Sequence, residues 1–228
     1  MVKEVPRGRV KAAVKAFRES DHWAVALGRE VLWVVAVVGG IALLLYLVCG
    51  TWPAVVAVES ESMVPNMQVN DLVFVVQEDR FGPLQTFEAG RSSGYMKFGN
   101  YGDVIIYRPN GAPNIHPIIH RAIAYHDAAW FETNLHVTET HAGYLTLGDN
   151  NQIFDQQSSI QGIGPIQPVK DEWIVGKALF SVPLLGYPTL HYPEFAAAVI
   201  ILLIIHEVYV SRADDEPEEK KRKKKGRR

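Results

Sequence analysis

VLWVVAVVGGIALLLYLVCGTWPAVVAV, Val31 to Val58, runs for 28 residues without a charge, and SESMVPNMQVND, Ser60 to Asp71, follows almost at once. This adjacency decides the architecture, because it sets a polar, serine-containing segment where an apolar helix meets water. A bilayer core needs about 20 apolar residues to cross, and Val31 to Val48 with its short continuation meets that length. Trp52 beside Pro53 reads as the exit, since Trp favours the headgroup level. The small residues of Ala54-Val55-Val56-Ala57 raise the alternative of a cleaved signal peptide. A charged leader reaching Glu30, and an apolar run longer than the roughly 7–15 residues of a signal-peptide core, favour an uncleaved anchor. The expected segments are a basic cytoplasmic stretch over 1–30 and a transmembrane helix over 31–52.

The far side of the chain repeats the pattern. Phe195 to Ile205 is apolar, Val208 to Val210 extend it past His206 and Glu207, and KKRKKKGRR occupies Lys220 to Arg228. A run of 11 is short for a span, but the cationic flank fits the preference of such segments for the cytoplasm. A second transmembrane helix is expected over 193–210 and a disordered basic tail over 211–228. Lys and Arg number 7 in residues 1–30 and 9 in residues 206–228. The stretch between holds 7 of them against 15 Asp and Glu, a net charge of −8. Both termini are therefore expected in the cytoplasm, with an acidic domain over 53–192 on the outer side of the cell membrane. Anionic lipid headgroups are the expected contact of the basic tail, and nothing else in the chain points to nucleic acid. The single cysteine, Cys49, excludes an internal disulfide.

The middle domain reads as mainly β. Asp71 to Val76, Val104 to Tyr107, Ile118 to Ala124, Tyr144 to Leu147 and Trp173 to Val175 are short runs rich in β-branched and aromatic residues. Pro109 to Pro113, Gly148 to Asn151 and Gly162 to Pro165 supply turn residues between them. No sustained helical period appears within the domain, and Gly82 to Asn100 reads as an exposed loop.

Ser62 needs a base if its hydroxyl is to act as a nucleophile. His116, His120, His126, His136, His141, His191, Lys97, Lys170 and Lys177 are the candidates. His120 stands out because it interrupts the apolar run Pro117 to Ile123, expected as a half-buried strand. Asp149 and Asp155 flank the turn GDNNQIFD, and either could orient an imidazole. The His and acid spacings form no zinc pattern and soft ligands are missing, so neither metal nor cofactor is expected.

The ordered set SESMVPNMQVNDLVFV, GDVIIYRP (Gly102 to Pro109), PIIHRAI (Pro117 to Ile123) and LGDNNQIFD (Leu147 to Asp155) resembles signal peptidase I, in its archaeal and endoplasmic-reticulum form. The resemblance covers Val56 to Gly186. It implies a β catalytic domain of the signal-peptidase type, flanked by two transmembrane helices. It also implies a membrane-bound serine endopeptidase that removes signal peptides from secretory preproteins, with the lipid bilayer and the translocation machinery as partners. Bacterial relatives have Lys where this chain has His120, so the chain resembles the Ser/His form. An imidazole is largely neutral at physiological pH, whereas a lysine base must first be desolvated.

The roles implied by the resemblance are Ser62 as nucleophile, His120 as general base and then acid, Asp155 as the orienting acid and Asp149 as a supporting acid. The Ser62 N–H and the Ser60 hydroxyl would be oxyanion donors. Small side chains of an extended substrate would fit pockets lined by Val56, Val58, Ile106 and Ile119. Asn70, Glu61 and Gln152 depart from the family pattern at turns; Asn tolerates the left-handed backbone a turn there would need. Two rivals are a non-catalytic membrane-anchored β domain and a self-cleaving repressor, which would be soluble.

Overall fold

The computed structural model describes residues 15, 17–20, 22–137, 140–206 and 209. Helix α1 (Trp23–Cys49) is long and apolar enough to cross a membrane, and of its residues only Cys49 is buried. It begins ahead of the expected boundary at Val31 and ends before Thr51 and Trp52. The stop has a local cause: Gly50 takes the left-handed conformation at φ 74° and its N–H returns to Tyr46 O, a glycine-terminated helix end. The second expected span corresponds to a shorter apolar helix, Tyr192–His206. Glu207, Val208, Val210 and the tail over 211–228 lie outside the described residues, as do residues 1–14.

Between the two helices the fold is mixed α/β, built on one antiparallel sheet. Its strands are β1 (Val55–Ala57), β2 (Leu72–Val76), β5 (Val104–Tyr107), β6 (Ile118–His126), β7 (Gly143–Leu147) and β10 (Ile174–Val182), in the order β1-β2-β10-β5-β6-β7. Two hairpin-like pairs stand apart: β3 (Met96–Lys97) with β4 (Asn100–Tyr101), and β8 (Ser159–Ile160) with β9 (Gly164–Pro165). All four residues of β5 are buried. Val104 and Ile106 join Val58, Met63, Met67, Val73, Val75 and Ala178 in one core cluster, while Ile105 and Tyr107 join Ala122 and Val169 in another. The period-two alternation of a strand thus sends β5 into two cores, which is why it reads as a continuous apolar run.

Helices inside the domain correct the mainly β expectation; besides the single turn Tyr187–Leu190 there are two among the described residues. Helix α2 (Phe87–Ser93) lies within the segment read as an exposed loop, and α3 (Ala128–Leu135) follows β6. Both are too short to give a periodic signal, but each is capped. Thr86 Oγ1 accepts from Ala89 N and Asp127 Oδ1 from Trp130 N, while Gly94 and His136 close the C-termini in left-handed conformations. The segment over 82–100 is held down from within the core. Buried Asp103 accepts from Gln85 N at 2.9 Å and from the Tyr95 hydroxyl at 2.8 Å. Buried Lys177 lies 3.8 Å from Asp103 and donates to Gly82 O. Burial, and then the bond to Asp103, push the Tyr95 phenol well above its ordinary range, so it remains a donor.

Asp103→Ala should therefore leave Lys177 buried without its carboxylate, costing about 3–5 kcal/mol. The 82–100 segment should then become open to trypsin at Arg91 under conditions where the wild type resists, read by limited proteolysis with a thermal melt alongside.

Candidate active site

Ser62 sits in a 3-10 turn, Glu61–Met63, entered from the extended Ser60. Buried Met63 anchors the turn in the core, while Ser62 remains half-exposed above it. Ahead of the turn, Val58 pairs back to Asp71: Val58 N donates to Asp71 O and Asn70 N to Val58 O. Asn70 has φ 73°, the left-handed conformation that asparagine tolerates. This closed loop fixes where β1 delivers the serine.

His120 comes from β6, opposite Ile105 of β5, and is buried. Its Nδ1 lies 2.7 Å from Asp155 Oδ2 and 2.9 Å from Oδ1. Asp155 opens a 3-10 turn after β7 and is itself buried. A buried carboxylate is costly unless paired and hydrogen-bonded, and three groups meet that need. Besides His120, the Tyr107 hydroxyl donates to Oδ2 at 2.7 Å and Thr146 Oγ1 at 2.6 Å. Gln156 Nε2 donates to Thr146 Oγ1, and Gln156 Oε1 accepts from Thr146 N. Burial, followed by the Asp155 charge, raises the Tyr107 phenol well above its ordinary range, so it stays a donor. An ionised carboxylate only accepts. Nδ1 of His120 therefore carries hydrogen and donates to Asp155, which leaves Nε2 free of that bond.

Asp149 has a different place. Its carboxylate takes a forked pair of bonds from Arg121, Nε to Oδ1 at 2.7 Å and Nη2 to Oδ2 at 2.6 Å, and a further bond from Asn66 Nδ2. Arg121 is fully buried and also donates to the carbonyls of Lys97, Tyr101 and Gly102. The next residue, Asn150, donates its N–H to Ser62 O at 2.8 Å and its side-chain amide to Glu61 O at 3.1 Å. Asp149 thus braces the serine turn against the strand that carries the histidine, and Asp155 is the acid on His120. Gly148 makes the approach possible: a Cβ there would fall 2.7 Å from Ser62 O and 2.8 Å from His120 Nε2.

These groups share a cleft of about 470 Å³, lined by Ser60, Ser62, His120, Val56, Val58, Ile106 and Ile119 among others. The four proposed substrate-pocket residues and the serine–histidine pair are thus brought to one place. Ser60 Oγ is 3.1 Å from Ser62 Oγ, so the Ser62 hydroxyl is engaged there rather than by His120. Among the other candidate bases, His116 reaches the rim and pairs with Glu59 at 3.3 Å, whereas Lys97 and Lys177 are committed to Leu179 O and Gly82 O. His126 stacks on Trp130 and His141 packs against Trp173.

Two strand edges beside the cleft are open. Among the described residues β1 pairs only with β2, and β7 begins pairing with β6 at Arg121, leaving Ile118 to His120 unpaired on that side. Tyr107, Thr146, Arg121 and Asn66 escaped the sequence reading. A charge following directly on His120 in an apolar strand was the one visible signal, and it pointed to Arg121. Comparison of the chain with family models finds no match, and comparison with curated proteins finds none.

Tyr107→Phe keeps the ring and removes one donor to Asp155. It should destabilise the domain by about 1.5–3 kcal/mol, the worth of a hydrogen bond to a charged group, measured as a lowered denaturation midpoint in detergent. Thr189→Val, which loses only a local bond to Gly186 O, should shift it far less.

Proposed function

We propose that this protein is a membrane-bound serine endopeptidase that removes N-terminal signal peptides from secretory preproteins at the outer face of the membrane. The observation that carries the proposal is a half-exposed serine in one apolar cleft with a buried His120–Asp155 pair, flanked by unpaired strand edges. The ordered motifs that resemble signal peptidase I add to it, and so does an apolar helix that ends immediately ahead of the site.

An extended preprotein segment adds along the free edge of β1, with main-chain bonds for affinity and side-chain pockets for selection. Val56, Val58, Ile106 and Ile119 shape shallow apolar pockets suited to small side chains. Ser62 Oγ attacks the scissile carbonyl carbon while His120 Nε2 takes its proton. The carbonyl oxygen becomes the oxyanion, met by the Ser62 N–H and the Ser60 hydroxyl. The imidazolium, stabilised by Asp155, then protonates the leaving amine and the C–N bond breaks. Water, deprotonated by His120, releases the acyl group and restores Ser62. In this reading both termini are cytoplasmic, Tyr192–His206 begins the second span, and the translocation machinery supplies substrate.

Ser62→Ala should abolish cleavage of a preprotein by the full chain in detergent while leaving the melt unchanged, and His120→Ala should abolish it while lowering the melt, because buried Asp155 loses a donor. His120→Lys should be inactive as well: an ammonium facing Asp155 is held protonated by the opposite charge. Neutral-pH activity in that variant would remove the general-base assignment.

The two acids should separate. Asp155→Asn should lower the single-turnover rate by about 10⁴ with the fold retained. Asp149→Asn should weaken the brace to Arg121, lower the melt and keep measurable cleavage. A reversed pattern would exchange the two roles.

A further inference from the structure

The junction between α1 and the sheet is fastened by backbone and side-chain contacts that neither the cleft nor its chemistry uses. Arg80 Nη2 donates to Leu47 O in the last turn of α1. Gln77 N donates to Cys49 O at 2.9 Å, and Thr51 Oγ1 to Val175 O at 2.6 Å. Cys49 and Ala54 are buried against Val76, with Leu45 and Leu179 packed beside them. A Cβ on Gly50 would lie 2.7 Å from Arg80 Nη1 and 3.0 Å from Gln77 Oε1, so the guanidinium fills the space a side chain would take.

The physical need is clear. The last carbonyls of a helix lack partners within it, they form the negative end of its dipole, and in apolar surroundings each unsatisfied group is expensive. A guanidinium answers both the charge and the hydrogen bond. Its effect reaches the cleft by a short path, because β2 ends one residue before Gln77, Val75 N donates to Ala54 O, and Leu72–Phe74 pair with β1, the strand that leads to Ser62.

We propose that Arg80 is a positioning residue that clasps the anchor helix and the cleft into one rigid body and so selects which bond of a membrane-inserted preprotein reaches Ser62. This rests on the function proposed above. A hinged domain would sample several heights over the bilayer and cut at several positions; a clasped one presents the serine at a single depth.

The test uses the full chain in phosphatidylcholine vesicles. Arg80→Ala should cleave a short water-soluble peptide at the wild-type rate. On a membrane-inserted preprotein it should be slower by about tenfold, the rate equivalent of one charge-assisted hydrogen bond, and should yield product N-termini spread over neighbouring positions. Arg80→Lys should restore a single N-terminus in part. Gly50→Ala, which intrudes on the guanidinium without removing it, should reproduce the spread. A single product N-terminus at the wild-type rate in both Arg80→Ala and Gly50→Ala overturns the proposal. Spin labels at W33C and Q161C provide a readout independent of catalysis: a narrow distance distribution in the wild-type background should broaden in Arg80→Ala. Equally narrow distributions overturn the clasp even if cleavage changes. Broadening with no cleavage by the wild-type chain keeps the clasp and overturns the functional reading together with the bond-selecting role.

Discussion

The Asp155 carboxylate is the constraint on which the site depends. It is buried between strands and accepts from three side chains, each from a different one: Tyr107 of β5, His120 of β6 and Thr146 of β7. Removing a carboxylate from water is tolerable only when its lone pairs are met, so the ion demands that these three strands keep their register. A slip of one residue in β6 would carry His120 to the opposite face and leave the charge short of a donor. The tautomer of the imidazole and the registration of the sheet are thus set by a single group.

A second ion pair does the mechanical work. Arg121 follows His120 on β6, and through Asp149 it ties that strand to Asn66 and, by Asn150, to the carbonyls of Glu61 and Ser62. Breaking a buried pair by removing one partner is strongly destabilising, which makes this brace dependable. Ser62 and His120 come from distant parts of the chain, yet both are positioned against Gly148, where no side chain would fit.

Much of the architecture was legible in the sequence. The β5 run Val104–Tyr107 was found to the residue, because a strand buried on both faces leaves an unbroken apolar stretch. Ser62, His120 and Asp155 were legible as an ordered set of motifs, and the cleft gathers the first two with all four pocket residues. The relative placement of the two acids was less accessible: both flank one turn, and only the fold shows Asp149 facing Arg121 and Asp155 facing His120. Helices α2 and α3 were missed because seven or eight residues cannot display a period, although Thr86 and Asp127 were present as caps. Tyr107 and Thr146 resembled ordinary strand residues, since the partner that makes their hydroxyls matter lies far along the chain. The helix end at Gly50 was also obscured, because an uncharged run does not reveal where its backbone turns.

Adjacent residues on a strand point to opposite sides, and β6 places an acid–base group and a guanidinium side by side. His120 faces the Tyr107–Asp155 network, while Arg121 faces Asp149 and the carbonyls of the 97–102 segment. The two ionic systems are therefore separated by the thickness of a single backbone. Substitutions around the imidazole act on the network that fixes its tautomer and the register of β5, β6 and β7, whereas substitutions around the guanidinium act on the brace beneath the serine turn. One strand thus carries two charge networks, and a change of side chain at either position is met by a different one.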